Sequence, residues 1–170
     1  NVLLNIYNNN DTDYKIYLST RLGLWSKSFI NKPNTNELKI INCDDKKQQG
    51  IINAFFNSST FYFLWILLSD CWHITSNDIL NINFNYEVLT EEEQLKLYNL
   101  AFKLERDLEK NKKYIGSKQV EYEYKHKYSK KIIDEIDKLI AKIYDLSEEE
   151  TNYIINFAYK YRMNDTAEEE

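Results

Sequence analysis

The last third of the chain carries apolar residues at helical steps with almost no exception, and that pattern limits the fold more than any other. Ile132, Ile133, Ile136, Leu139, Ile140 and Ile143 recur every three or four residues, so they share one side of an α-helix. Ser147 and Glu150 have the spacing of a capping box, in which the hydroxyl accepts from the amide three residues on and the carboxylate reaches back. Tyr153, Ile154, Phe157 and Tyr161 continue as the stripe of a second helix. The spacing predicts two antiparallel helices joined at Asp145-Leu146.

Upstream the period changes. Residues 14–30 alternate apolar and polar on both sides of Gly23, with Ile16, Leu18, Leu22 and Leu24 facing one way and a turn or bulge near Arg21–Gly23. Leu38–Asn42 reads as another strand and Val2–Tyr7 as a further one, with a loop at Asn8–Asp13. Asp44 or Asp45 suits the N-cap of a helix through Phe56 that buries Ile51, Ile52, Phe55 and Phe56. Ser58-Ser59 caps a very apolar segment, Thr60–Leu68, expected in the core. Thr75–Asp78 looks like another cap, and Ile79–Phe84 alternates like an edge strand.

From Thr90, boxed with Glu93, a helix runs towards Lys110–Lys113 with Leu95, Tyr98, Ala101, Phe102 and Leu108 as its apolar stripe. Gly116-Ser117 breaks it, and the basic, aromatic stretch Val120–Tyr128 stays open between strand and loop. The expected class is α+β. A small strand-rich part on aromatic helices (1–88) precedes a helical part (89–170) ending in an antiparallel helical hairpin.

Composition narrows the function. Three Gly and one Pro argue against a glycine-rich phosphate loop. Cys43 and Cys71 match no metal or redox spacing and suit a reducing compartment. No signal peptide is visible, and the longest apolar run, Phe61–Leu68, is far too short to span a bilayer. A soluble, cytoplasmic protein is expected, with no membrane partner. The absence of an initiator Met at Asn1 is compatible with a piece of a longer polypeptide. The net charge of −5 hides a partition: residues 101–131 carry ten basic and five acidic side chains, whereas residues 132–170 carry four and eleven. A basic segment between acidic ones still offers a polyanion a local surface.

No constellation supports catalysis or metal binding. Cys71-Trp72-His73 lacks a second ligand pair and reads as a buried thiol beside a hydrogen-bonded imidazole. The carboxylates at 91–93 and 148–150 lie in first turns, where they offset the helix dipole. Asp134, Glu135 and Asp137 read as a solvated helix face. Lys15, Arg21, Trp25, Lys27, Asn31 and Lys32 sit in the strand-rich stretch. Arg and Asn there are residue types that read guanine and adenine edges, though the same residues also make ordinary surface. Lys112, Lys113, Lys118, Lys125, Lys127, Lys130 and Lys131 are candidates to neutralise phosphates; a solvated lysine-rich loop is the plainer alternative.

Three stretches add a resemblance. Asn57-Ser58-Ser59-Thr60-Phe61-Tyr62-Phe63-Leu64-Trp65 running into Ser69-Asp70-Cys71-Trp72-His73-Ile74 resembles "NSSLFYWYW…SDCWHL". Tyr128–Asp137 resembles "SKxIIDEID", and Leu146–Met163 resembles "LTEEELxFIINYDxKYRMG". In this order they resemble the carboxyl end of type IIG and related type IIS restriction–modification enzymes and their adenine-specific DNA methyltransferase relatives, over roughly residues 14–163. Asn164 stands where that family usually has Gly.

The resemblance implies a target-recognition domain that reads duplex DNA, joined to an upstream methyltransferase domain of the same polypeptide. S-adenosylmethionine and Mg would belong to that parent enzyme, and no cofactor or metal to this region. Neither an Asn-Pro-Pro-Tyr motif nor a nuclease motif occurs here, so no catalytic residue is expected. On this reading Arg21, Lys27, Asn31 and Lys32 approach base edges or phosphates, Trp25 supports their loop or fills a groove, and the later lysines hold the backbone. A non-catalytic protein-interaction or scaffold domain is the alternative.

Overall fold

β1 (Lys15–Ser19) is the centre of a three-stranded antiparallel sheet in the computed structural model, which describes Leu3 and residues 11–117 and 120–163. It pairs on one side with β2 (Ser28–Phe29) and on the other with β3 (Leu38–Asn42). Ile16 lies opposite Ile41, and all three of Ile16, Leu18 and Ile41 are buried. Side chains alternate across a strand, so Tyr17, Phe29 and Ile40 share the other face. Ile40 is exposed there, whereas Phe29 is covered by the Tyr124 ring at 4.6 Å. The expected turn holds at Gly23, whose φ is +60°, a conformation that glycine adopts without strain. Leu24 departs from expectation and is exposed. The strand expected at Val2–Tyr7 lies outside the described residues except for Leu3, which is helical and buried.

The first of two successive helices carries the inner face of the sheet. Asp45 caps α1 (Lys46–Phe56) by accepting from the Gln48 amide, and Ser58 caps α2 (Ser59–Leu68) by accepting from that of Phe61. Phe55, Phe56, Phe61 and Phe84 are fully buried where these helices meet; Phe55 stacks on Phe84 at 4.0 Å, and Phe61 meets Phe56 edge-on at 5.0 Å. α2 leaves the core only at its end, where Leu67 and Leu68 are exposed. Residues 79–84 are not an edge strand. The capping box of Thr75 and Asp78 starts a short helix, α3 (Ser76–Asn81), which overrides the alternation.

α4 (Glu91–Asn111) begins with the Thr90–Glu93 box and packs along α1. Gly50 permits that approach: a Cβ there would sit 2.6 Å from the Tyr98 ring. The buried stripe of α4 is Leu97, Leu100, Ala101, Leu104 and Leu108; of the expected stripe Ala101 and Leu108 are buried, Tyr98 and Phe102 are half-buried at its edge, and Leu95 is exposed. After a short hairpin, α5 (Lys130–Ile143) buries Ile132, Ile133, Ile136, Leu139 and Ile140 against α4 and α2. The Ser147–Glu150 box opens α6 (Glu148–Asn156), which turns back on α5. Its stripe is shorter than the spacing predicts: Tyr153 and Tyr161 are exposed, and Ala158 at φ +53° separates α6 from α7 (Tyr159–Met163).

The aromatic core is continuous from the sheet through α5. No single helix among the described residues is long and apolar enough to cross a membrane.

Asp137 departs furthest from expectation. It lies on α5 but is fully buried, and its carboxylate accepts from the Ser59 amide at 3.1 Å and from the Thr60 amide and hydroxyl, both at 2.9 Å. It thus caps α2 from another helix, completing what Ser58 starts. Burial raises its pKa, opposed by those donors.

Candidate nucleic-acid interface

A groove of about 300 Å³ runs between two walls that the chain supplies from distant segments. One wall holds Arg21, Lys27 and the turn from Pro33 to Leu38; the other holds Ile115, Ser117, Val120 and Tyr122. The second wall is a hairpin of β4 (Lys113–Tyr114) and β5 (Tyr122–Glu123), in which Lys113 faces Glu123 and the Tyr114 and Tyr122 rings meet edge-on at 5.5 Å. Gly116 makes its turn at φ +59°, and a Cβ there would also press within 3.0 Å of the Tyr114 ring. The stretch left open between strand and loop is therefore a strand followed by a 3₁₀ turn at His126–Ser129.

Three contacts hold the walls in place. The Tyr124 hydroxyl donates to Glu109 of α4 at 2.9 Å while its ring covers Phe29; burial and the Glu109 carboxylate push its pKa up. Asn34 bridges the walls by donating to Glu121 at 3.0 Å. The buried Glu105 carboxylate accepts from the consecutive amides of Ile30 and Asn31, at 3.1 and 2.9 Å, and so fixes the turn that presents Asn31 and Lys32. Burial raises the Glu105 pKa against the pull of those two amides.

Beneath the groove lies a buried polar cluster. Asn57 donates from its amide nitrogen to the carbonyls of Ser28 and Asn53, and its Oδ1 accepts from the Ser28 amide. That fixes Oδ1 as an acceptor facing His126 Nε2, 3.1 Å away, while the Tyr124 carbonyl, a second acceptor, lies 3.4 Å from Nδ1. The imidazole joins α1, β2 and the hairpin's return strand. Burial first, then Lys27 and Arg162, hold its pKa down at about 3.

A pH effect follows. Between the unfolded value near 6.5 and the folded value of about 3, the unfolded chain binds the extra proton, so stability falls as pH falls through that window. The loss from this one group is about 2 kcal/mol by pH 5. Denaturant melts of His126→Gln should show a shallower slope between pH 7 and 5 than the parent; parallel slopes would contradict this role.

The candidate residues separate by position. Arg21 is exposed on the groove wall, 3.1 Å from Glu37, and Lys27 stands beside it. Lys112 flanks the hairpin, its ammonium 4.2 Å over the Tyr122 ring and 2.7 Å from Glu109, and Lys113 is exposed on β4. Lys125 is buried 3.4 Å from Glu123, and Lys127 stands over the Tyr128 ring. Asn31 and Lys32 are exposed on the turn held by Glu105, and Lys131 is exposed on α5. Lys118 lies outside the described residues.

Three residues lie elsewhere or act otherwise than as groove contacts. Lys15 is at the far end of β1, paired with Asp11 at 2.7 Å. Lys130 is buried and committed to both oxygens of Asp134, at 2.7 and 2.9 Å. Trp25 is buried, donates from Nε1 to the Arg162 carbonyl at 3.1 Å and lies under its guanidinium at 4.0 Å, so it supports the loop and fills no external groove. Tyr114, Ile115 and Tyr122 were not among the expected site residues; the signal for them is the alternation of Val120, Tyr122 and Tyr124 after Gly116-Ser117, facing the apolar pair Tyr114-Ile115 before it. Cys71 also departs from expectation: it is exposed, with φ +59°, and Trp72 beside it is 75% exposed. Compared with family models, curated proteins and solved structures, the chain matches none.

Proposed function

We propose that this chain is a sequence-specific duplex-DNA recognition module of a restriction–modification enzyme, which positions DNA for adenine methylation and cleavage by domains outside this sequence. The observation that carries the reading is the common groove of Arg21 and Lys27 with the hairpin that Lys112 and Lys113 flank. A two-stranded ribbon fits the major groove, and guanidinium and ammonium groups suit guanine edges and phosphates. Glu37 and Glu123 on the walls add acceptors of the kind that take the cytosine amino group. The partners are double-stranded DNA and an upstream methyltransferase domain of the same polypeptide. S-adenosylmethionine and Mg belong to that parent, and the setting is the cytoplasm.

Two variant classes test it by fluorescence anisotropy with short duplexes. Arg21→Ala should cost about 1–3 kcal/mol on preferred sites and relax the sequence preference. Lys112→Gln with Lys113→Gln should weaken all sequences alike and flatten the salt dependence by about two units of log–log slope. Equal behaviour of both variants and the parent would refute the contact assignment.

A second reading, a protein-docking scaffold, is favoured by Leu67, Leu68 and Trp72, which are exposed at and beyond the end of α2. Apolar docking does not weaken steeply with salt, so the same titrations separate the two.

A further inference from the structure

Arg21 lines a second recess as well as the groove. This one, of about 550 Å³, lies between α2, the loop that follows it and the turn after β1. Tyr62, Trp65 and Ile66 line it from α2, Trp72 and His73 from the loop, and Arg21 from the turn. Glu37, the partner of Arg21 at 3.1 Å, lines the groove but not the recess, and no carboxylate is among the residues that line the recess. Its size is that of a small-ligand site.

Hydrogen bonds tie these three segments together. The Tyr62 hydroxyl donates to the Gly23 carbonyl at 3.1 Å, and the Ile74 amide donates to the Thr20 carbonyl at 3.0 Å. Within the loop, the Trp72 amide donates to Asp70 at 3.0 Å and the Cys71 amide to Ser69 Oγ at 3.1 Å, which fixes the backbone that carries the exposed indole. The one ring beside Trp72 among the described residues is His73, edge-on at 5.7 Å, so the indole keeps broad apolar surface in water. Trp65 is buried, and its Nε1–H has no hydrogen-bond partner among the described residues. A buried donor of that kind costs free energy until an acceptor reaches it.

An exposed indole stacks on a flat ring, an unmet N–H takes an acceptor on that ring's edge, and a guanidinium beside them takes an anion. A nucleotide brings all three features at once, and an aliphatic helix face brings none of them. We propose that this recess seats one unpaired nucleotide of the bound nucleic acid, with its base stacked on Trp72 and its phosphate beside Arg21. The assignment rests on the DNA reading for the strand that carries the nucleotide, and it deepens that reading: paired bases are read in the groove, and a base outside the pairing is held in the recess. Stacking accepts any base, so this contact adds affinity without adding sequence preference.

The test uses the 170-residue chain with a blunt duplex and with the same duplex carrying a short unpaired dT extension. In anisotropy titrations the extension should tighten binding about tenfold, and the extended probe alone should quench tryptophan emission. Trp25 and Trp65 are buried, so the quenching reports Trp72. Trp72→Leu should abolish both the gain and the quenching and leave affinity for the blunt duplex unchanged, since the side chain it replaces is exposed. Trp72→Tyr, which keeps a ring, should retain most of the gain. Leucine keeps apolar bulk, so a contact that needed only apolar surface would survive the first substitution.

An extension that adds nothing, or a gain that persists in Trp72→Leu, overturns the seat. If blunt-duplex affinity in that case still depends on Arg21 and salt, the groove reading stands alone. Binding of the extended probe only, lost in Trp72→Leu and kept in Trp72→Tyr, supports the seat and removes the duplex reading. Binding of neither probe overturns both and leaves this surface to a protein partner.

Discussion

Asp137→Ala is expected to cost about 3–5 kcal/mol of folding stability, a loss of about 10 °C or more in the thermal midpoint for a domain of this size. Two backbone amides and one hydroxyl at the start of α2 lose their acceptor together, at Ser59 and Thr60. Each unsatisfied buried donor costs about 1–3 kcal/mol. The buried Arg162 guanidinium also loses the negative charge that favours its ionised form, while its contacts to Ser59 Oγ are long, at 3.3 and 3.4 Å. α2 carries Phe61 and Trp65 into the core and donates the Tyr62 hydroxyl to the Gly23 carbonyl, so the damage reaches the turn below the groove. Thermal melts followed by circular dichroism check this; a shift of less than about 3 °C would show that the cap is dispensable. Glu135→Ala on the same helix is the matched control, since its partner Lys103 is 3.8 Å away and both are exposed.

Reversing both groove cations, Arg21→Glu with Lys27→Glu, should weaken duplex binding about 100-fold near 0.1 M salt and lower the log–log salt slope by about two. Each lost phosphate contact forfeits close to one released counterion, and each new carboxylate adds repulsion. Lys15→Glu makes one such charge reversal, half the total change, at the far end of β1 and should alter affinity by less than about threefold. Equal losses from the double variant and from Lys15→Glu would mean that net charge, not the groove, governs binding.

The parts of this fold legible in the sequence are those whose cause is local. The boxes at Thr90–Glu93 and Ser147–Glu150 and the caps at Asp45 and Ser58 each involve neighbours two to four residues apart, and all four form. What was not legible depends on residues distant in the chain. Asp137 has the spacing of a surface carboxylate, and only the arrival of α2, 77 residues earlier, makes it a cap. On α4 the buried side also takes in Gln94 and Glu105, polar residues satisfied by the Leu89 carbonyl and by the Ile30 and Asn31 amides, while the apolar Leu95 is exposed. At the site, residue type identified Arg21 and Lys27, but not that Phe29 meeting Tyr124 would set the hairpin opposite them. Lys130 shows the converse, a basic residue in a basic run whose charge is consumed by Asp134 one helical turn on.

The central claim is that the groove shared by Arg21, Lys27 and the hairpin engages duplex DNA, and the salt dependence of binding by the 170-residue chain tests it most directly. The account predicts measurable duplex binding at low salt, with log affinity falling linearly against log salt at a slope of about −3 to −5, as three to six phosphate contacts require. Binding that is absent at 20 mM salt, taken as roughly the low-salt limit, or that holds constant across the titration, would contradict it.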